Sequence, residues 1–178
     1  MILEYKLIGN DFFQMQLFFF NEEKLLKRVI IKNFFIWFII YSLIFLIMFL
    51  NNQKETSYLV LIGAVIGLII QPFMVKNLYF KRIQKQNKLY ENRFNKIVSL
   101  EINNECIKIS GNSGESKINI STIDKIIETK QHFFLAFKPE VIIIPKSEIE
   151  DQSFVKNELI KLTENQKIEF QNQLNWKW

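Results

Sequence analysis

Residues 34–50 read FFIWFIIYSLIFLIMFL, and residues 58–75 read YLVLIGAVIGLIIQPFMV. These runs are 17 and 18 residues long and contain no Asp, Glu, Lys or Arg. As helices that rise about 1.5 Å per residue, they are roughly 25 to 27 Å long, close to the roughly 30 Å hydrocarbon core of a bilayer. The pattern therefore predicts a hairpin of two transmembrane helices, 34–50 and 58–75.

Two other interpretations of the apolar runs are disfavoured. Buried core helices would need a large surrounding shell, because the first run is apolar on every side, and 178 residues do not supply one. A cleaved signal peptide would need small residues after its apolar part, whereas residues 51–54 read NNQK. Both segments are therefore expected to remain in the mature protein.

The distribution of Lys and Arg predicts the orientation of the hairpin. Four basic residues lie within residues 24–32 and seven within residues 76–96, whereas the connector 51–57 holds only Lys54 beside Glu55. Positive residues next to membrane helices are retained in the cytoplasm. We therefore expect a multi-pass protein of the cell membrane with both termini cytoplasmic.

The basic residues are concentrated near the hairpin. Residues 1–97 contain 13 Lys/Arg against 6 Asp/Glu, a charge of +7, and residues 98–178 contain 10 against 12, a charge of −2. This pattern favours contact with the lipid bilayer and argues against a nucleic-acid partner. Residues 76–96 are predicted to form a basic helical stalk, which either fixes topology as a solvated helix face or contacts lipid headgroups through Lys76, Lys81, Arg82, Lys85 and Lys88.

Gly63 and Gly67 form a G-x-x-x-G pattern in the second apolar run. Glycines at this spacing let another helix approach closely. Packing against the first helix of the same hairpin is the favoured interpretation. Homodimerisation is the alternative, so a homo-oligomer stays possible.

Reactive side chains are scarce, because the chain has one cysteine, Cys106, and one histidine, His132. A structural zinc site usually needs four Cys or His ligands. The sequence also lacks the P-loop, G-x-G-x-x-G and G-x-S-x-G motifs. We therefore expect no enzyme, no catalytic residues, no cofactor and no metal site, and we interpret Cys106 and His132 as strand or turn residues.

The first 33 residues are predicted to form a strand at residues 3–8 and an apolar helix that starts near Asn10 or Asp11 as its cap. From Ile97 onward the apolar residues alternate with polar ones, which is typical of strands. A hairpin turn is expected at residues 111–114 and further strands at residues 123–129, 133–138 and 141–144.

A helix is expected from about Asp151, with Val155, Leu159 and Leu162 on one face. Together with the strands it predicts a domain at residues 97–165, followed by a tail at 166–178. The predicted core includes Leu100, Ile109, Ile126, Leu135, Ile143 and Leu159. The whole chain is thus predicted to be an α+β membrane protein with a cytoplasmic, pleckstrin-homology-like (PH-like) antiparallel β-barrel or sheet closed by a C-terminal helix.

This order of parts and several short strings resemble the YcxB-like family of bacterial membrane proteins. The resemblance covers most of the chain, although Ile120 stands where the family often has Trp. It implies a membrane-tethered PH-like domain and brings no catalytic residues. The residues that carry it are Glu4-Tyr5-Lys6-Leu7, Asp11-Phe12, Ile123, Lys125-Ile126, Glu128-Thr129-Lys130, Phe133 or Phe134, Leu135 and Ile143-Ile144-Pro145-Lys146.

Two classes of function follow from this organisation. The favoured one is a non-enzymatic module whose cytoplasmic domain binds a protein or peptide at the membrane. The alternative is a membrane-anchored sensor of anionic lipid or of a small molecule. A concave cavity with converging polar groups favours the sensor, and a filled barrel with an exposed apolar edge favours partner binding.

Overall fold

The computed structural model describes residues 1–22, 24–89, 95–103, 105–111 and 114–178. These residues form two compact units. One is helical and spans Leu17–Lys85, and the other combines Met1–Gln16 with Gln86–Trp178. Helix α1 (Gly9–Glu22) passes from the second unit into the first.

The helical unit contains the two apolar runs, and both helices are longer than these runs. Helix α2 spans Leu25–Leu50, and helix α3 spans Lys54–Leu89 with Pro72 in its interior. Lys and Arg interrupt an apolar run, but their helix propensity is high. The basic residues before the first run and after the second therefore extend the two helices. Both helices are long and apolar enough to cross a membrane.

Helix α3 covers the first part of the predicted basic stalk. It runs to Leu89, and the chain is in strand β2 from Lys96 onward. Residues 90–94 of the predicted stalk, with the basic residue Arg93, lie outside the described residues.

The other unit contains two four-stranded sheets. The first has the order β1-β2-β3-β4 with antiparallel neighbours, formed by β1 (Ile2–Leu7), β2 (Lys96–Ile102), β3 (Cys106–Gly111) and β4 (Gly114–Asn119). Strands β3 and β4 form a hairpin in which Gly111 pairs with Gly114, whose φ of 126° suits glycine. Residues 112–113 of the predicted turn 111–114 lie outside the described residues.

The second sheet has the order β7-β6-β5-β8. Strands β5 (Lys125–Thr129), β6 (His132–Phe137) and β7 (Glu140–Pro145) are antiparallel. Helix α4 (Gln152–Gln166) follows, and its first turn is capped by Asp151, whose Oδ1 accepts the backbone N–H of Phe154 at 2.8 Å. Strand β8 (Glu169–Gln173) then pairs in parallel with β5.

Two predictions about this unit are wrong. Of the predicted barrel or sheet, the barrel is wrong, because the strands form two separate sheets. The predicted tail at 166–178 contains strand β8, which makes the second sheet mixed rather than purely antiparallel. Its sequence, EFQNQ, has no β-branched residue, and Asn is depleted in strands, so local propensity does not mark it.

The main core lies between the two sheets and α4. Leu100, Ile126, Leu135 and Leu159 are fully buried there, and Ile109 packs against the cluster while partly exposed. Successive residues of a strand point to opposite faces, so the sixth predicted core residue, Ile143, is buried on the other face of the second sheet. Ile127 and Phe134 share that face and are also buried. The second sheet is therefore covered on both faces.

Candidate functional site

Helix α1 is joined to the second sheet by a buried pair of side chains. His132 Nε2 lies 2.8 Å from Asp11 Oδ1, and the two side chains are only 4% and 8% exposed. The other carboxylate oxygen of Asp11 accepts the backbone N–H of Ile8 at 2.9 Å. Helix α1 begins at Gly9, close to the predicted start near Asn10 or Asp11, and Asp11 lies inside its first turn rather than at the predicted cap position.

The imidazole of His132 is fixed from several sides. Its ring stacks on Phe134 with centroids 5.4 Å apart. The Thr129 hydroxyl accepts the backbone N–H of His132 at 3.0 Å, so the short β5–β6 connection holds the residue in place. These contacts give His132 a positioning role between α1 and the sheet.

Two surface clefts lie beside this pair and share Lys130, Gln131 and His132. We call the first the aromatic cleft; its volume is about 240 Å³, and its other lining residues are Gln14, Thr129, Phe134, Trp176, Lys177 and Trp178. We call the second the polar cleft; its volume is about 290 Å³, and its other lining residues are Ile8, Asn10, Asp11, Lys146, Ser147 and Gln152.

A buried charge cluster lies around Glu128 of strand β5. Lys146 Nζ lies 2.7 Å from Glu128 Oε1, and Lys156 Nζ of α4 lies 2.8 Å from Glu128 Oε2. Burial alone would raise the pKa of Glu128, but hydrogen bonds from the two lysines and their charges outweigh it and hold this pKa below its usual value. The Lys146 ammonium also lies 4.5 Å from the centre of the Phe133 ring.

The basic residues proposed for headgroup contact lie along α3. Lys81, Arg82, Lys85 and Lys88 are exposed, and Lys76 is half-buried. None of these five residues lines the aromatic or the polar cleft. Their contact with lipid stays a prediction.

The two glycines of the G-x-x-x-G pattern have different surroundings. A Cβ atom at Gly67 would lie 2.8 Å from the Tyr41 hydroxyl of α2, whereas a Cβ at Gly63 would meet nothing within 4 Å. Nearer the end of the hairpin, the Gln71 side-chain amide donates to the Ile30 carbonyl at 3.4 Å. Gly67 therefore lies against the other helix of the hairpin.

The two candidate reactive residues of the sequence are both buried in strands. Cys106 opens β3 as a free thiol, and His132 opens β6. In the part of the chain that the structure describes, no group of three or more His, Cys, Asp or Glu side chains is placed to hold a metal ion. The interpretation of both as strand residues agrees with their positions.

Sequence reasoning missed the partnership of Asp11 and His132 and the clustering of Glu128 with two lysines. The first pair is 121 residues apart along the chain, and no local pattern joins such positions. The available signal for the second was Glu128 itself, which directly follows Ile126 and Ile127 in the predicted strand 123–129. A charge at such a position needs a partner.

Part of the sheet unit matches a known protein family. Residues 102–159 match the family of YcxB-like proteins. The predicted resemblance is thereby confirmed for this segment, which covers 58 of the 178 residues. No curated protein and no solved structure matches the chain.

The YcxB-like segment begins at the last residue of β2 and ends within α4. It contains Glu128, Lys130, His132 and Lys146, so it includes the charge cluster and the residues shared by the two clefts. Strand β1, helix α1 and strand β8 lie outside it.

Proposed function

We propose that the protein is an integral membrane protein that presents a non-enzymatic, PH-like interaction domain at the cytoplasmic face of the cell membrane. The pairing of β1 with β2 carries this proposal. Leu7 pairs with Lys96, and the Asn95 backbone N–H donates to the Leu7 carbonyl at 2.8 Å. The strand before α2 and the strand after α3 are therefore neighbours in one sheet, as two crossings of a bilayer require.

The surfaces of α2 and α3 support membrane insertion. Phe35, Leu59 and Phe73 are 58%, 68% and 72% exposed. Apolar side chains exposed along most of two long helices are unfavourable in water and favourable in lipid. A core helix of a soluble domain would instead be covered.

The arrangement of the sheets supports the PH-like assignment. Two four-stranded sheets enclose one core, and Val155, Leu159 and Leu162 of α4 pack into it. The chain passes through the first sheet, then the strands β5 to β7, and then the helix. Strand β8 is an addition at the edge of the second sheet.

Topology is the first testable consequence. In a Cys106→Ser background, a cysteine at Asn52 should react with a membrane-impermeant maleimide in intact cells. A cysteine at the exposed Ser153 on α4 should react only after the membrane is opened. Labelling of Ser153→Cys in intact cells would show that the orientation is the reverse of the proposed one. Protection of both sites would show that Asn52 is not exposed outside the cell.

Strand β8 is the edge that best suits a protein or peptide partner. Edge strands present unpaired backbone N–H and C=O groups to an added strand, and charged side chains discourage such addition. Strand β4 is one edge of the first sheet and carries Glu115 and Lys117, and the other two edges, β1 and β7, contact each other. Strand β8 carries only Glu169 among its five residues, and the others are uncharged.

Photo-crosslinking in living cells tests this docking edge. A photoreactive amino acid at Asn172 of β8 should give a discrete crosslinked product that depends on light. The same residue at Glu115 of β4, which is also an exposed edge position, should give none. Equal products from both positions, or none from Asn172, would contradict docking at β8.

A sensor is the second candidate, because the aromatic and polar clefts bring polar groups together beside His132. Both clefts lie outside the main core, so a small ligand would bind at the surface of the second sheet. Residues of α1 contribute to both clefts, which places such a ligand against the segment that leads into α2.

A further inference from the structure

We propose that the aromatic and polar clefts form one binding site for a small anion that carries an apolar or aromatic body. This inference deepens the sensor function and rests on it. It assigns the recognition of the anionic group to Lys130 and Lys177, and the recognition of the apolar body to the indole rings of Trp176 and Trp178.

The charges around the aromatic cleft favour an anion. Lys130 and Lys177 line it, and no acidic side chain does. Within the described residues, neither lysine takes part in an ion pair, so both charges are available to a ligand. The third cation at the clefts, Lys146, is already held by Glu128.

Asp11, the acidic side chain of the polar cleft, already has hydrogen-bond partners within the protein. Asp11 is buried, and its two carboxylate oxygens bond to His132 and to the Ile8 backbone N–H. Neither oxygen of Asp11 therefore lacks a partner that a ligand would have to supply. A carboxylate or phosphate group at the rim meets the lysines instead, with which it can form charge-assisted hydrogen bonds.

The aromatic side chains that line the cleft suit the apolar body of the ligand. Trp176 and Trp178 line the cleft and are both partly exposed, whereas Phe134 is buried and stacks on His132. The amides of Gln14 and Gln131 add donors and acceptors beside these rings. Small-molecule sites usually combine apolar walls with a few polar groups in this way.

The site is built from parts that meet only in the folded domain. Gln14 comes from α1, Lys130 and Gln131 from the β5–β6 connection, and Lys177 from the end of the chain. Asn10 and Asp11 of α1 line the polar cleft on the other side of His132. An occupant would therefore touch α1 and the sheet together and stabilise the joint between them.

Two sources supply this chemistry, a soluble anion with an apolar body and the headgroup of an anionic lipid. Tryptophan emission distinguishes them, because two of the three tryptophans line the aromatic cleft and the third is Trp37 of α2. The full-length Trp37→Phe variant in nanodiscs therefore reports on the cleft alone. Phenyl phosphate is the soluble probe, and inorganic phosphate is its counterpart without the apolar body.

In phosphatidylcholine nanodiscs, phenyl phosphate should change the emission in a saturable way, and inorganic phosphate should bind more weakly. Replacing Lys130 and Lys177 by Gln should weaken the binding of phenyl phosphate by at least about tenfold, since each replacement removes a hydrogen bond to a charged group. Lys117→Gln on β4 is the matched control and should leave binding unchanged.

Nanodiscs that contain phosphatidylglycerol identify the source. If a lipid headgroup occupies the site, emission should change without added ligand, and this change should disappear in the Lys130→Gln, Lys177→Gln variant. No saturable change with phenyl phosphate and no lipid-dependent change, or an equal loss in Lys117→Gln, would overturn the proposal. Such a failure leaves the maleimide and photo-crosslinking results intact, so it is distinguishable from failure of the interaction-domain proposal.

Discussion

A chain in which residues 17–85 are replaced by a flexible linker should fold as a soluble domain, whereas residues 97–165 alone should not. A Gly/Ser linker of roughly ten residues should join residue 16 to residue 86, because the Asn87 side-chain amide donates to the Gly9 carbonyl at 2.7 Å and α1 rises only about 1.5 Å per residue from there. This design retains β1, the first part of α1 and β8. The fragment 97–165 lacks all three.

The expected difference follows from what the missing strands cover. Strand β1 pairs along its whole length with β2 and buries Tyr5 in the core, where it is only 4% exposed. Strand β8 covers the open side of β5, from Lys125 to Thr129. Without these neighbours both sheets lose an edge, and apolar side chains of the core become exposed.

Circular dichroism and thermal unfolding measure this outcome. The linked chain should show strand and helix signals and one cooperative transition, and the fragment 97–165 should show no transition. Two intermediate chains, each lacking only residues 1–8 or only residues 167–178, should be less stable than the linked chain. A fragment 97–165 that unfolds cooperatively at the same temperature as the linked chain would contradict the contribution of β1 and β8.

Replacing Glu128 by Ala should lower the free energy of unfolding by about 3–5 kcal/mol, because it leaves a buried charge without its partner. Glu128 is 4% exposed and Lys146 is 8% exposed, so water cannot easily replace the lost carboxylate. Urea unfolding of the linked domain measures the change. The matched control is Glu101→Ala, which breaks the exposed 3.5 Å pair with Lys108 and should cost much less.

A double variant separates the charge from the packing. Glu128→Leu combined with Lys146→Met removes both buried charges and keeps apolar side chains at both positions. Its stability should exceed that of Glu128→Ala, since the buried Lys146 ammonium is gone and the remaining lysine of the cluster, Lys156, is 35% exposed and can be hydrated. A double variant less stable than the single one would indicate that packing, and not the unpaired charge, dominates the loss.

The charge cluster also predicts how stability depends on pH. The pKa of Glu128 is lower in the folded protein than in the unfolded chain, so the folded state favours the carboxylate. Its contribution is fully present above the unfolded pKa of about 4.3 and is lost as pH falls through the folded pKa. Stability should therefore fall below about pH 4, and Glu128→Gln should reduce this fall. If the variant's stability depends on pH in the same way as that of the unchanged protein, Glu128 is not the group responsible.

The sequence predicts the elements whose residues repeat with a clear period. Alternation from Ile97 onward predicts β2 and the strands that follow, and the apolar spacing of Val155, Leu159 and Leu162 predicts α4. These signals are local, because each strand or helix buries one face of its own side chains. The two long apolar helices are equally clear.

The parts that sequence analysis missed depend on distant partners. Strand β8 is polar, and it forms because α4 brings the chain back beside β5. The clefts require α1, the β5–β6 connection and Trp176 to meet, and no motif within one segment encodes that meeting. Long-range pairing is set by tertiary packing, which single-sequence patterns do not report.

The split of the first sheet around the hairpin has a consequence for biosynthesis. Leu7 and its partner Lys96 are 89 residues apart, so β1 leaves the ribosome long before β2 is made. During that interval α2 and α3 are synthesised, and β1 has no neighbouring strand to pair with. Closing so long a loop costs less entropy once its interior is ordered, because fewer chain conformations remain to be lost. We therefore expect the sheet to be completed only after the hairpin has assembled, and a chain whose hairpin fails to form to retain an unpaired β1.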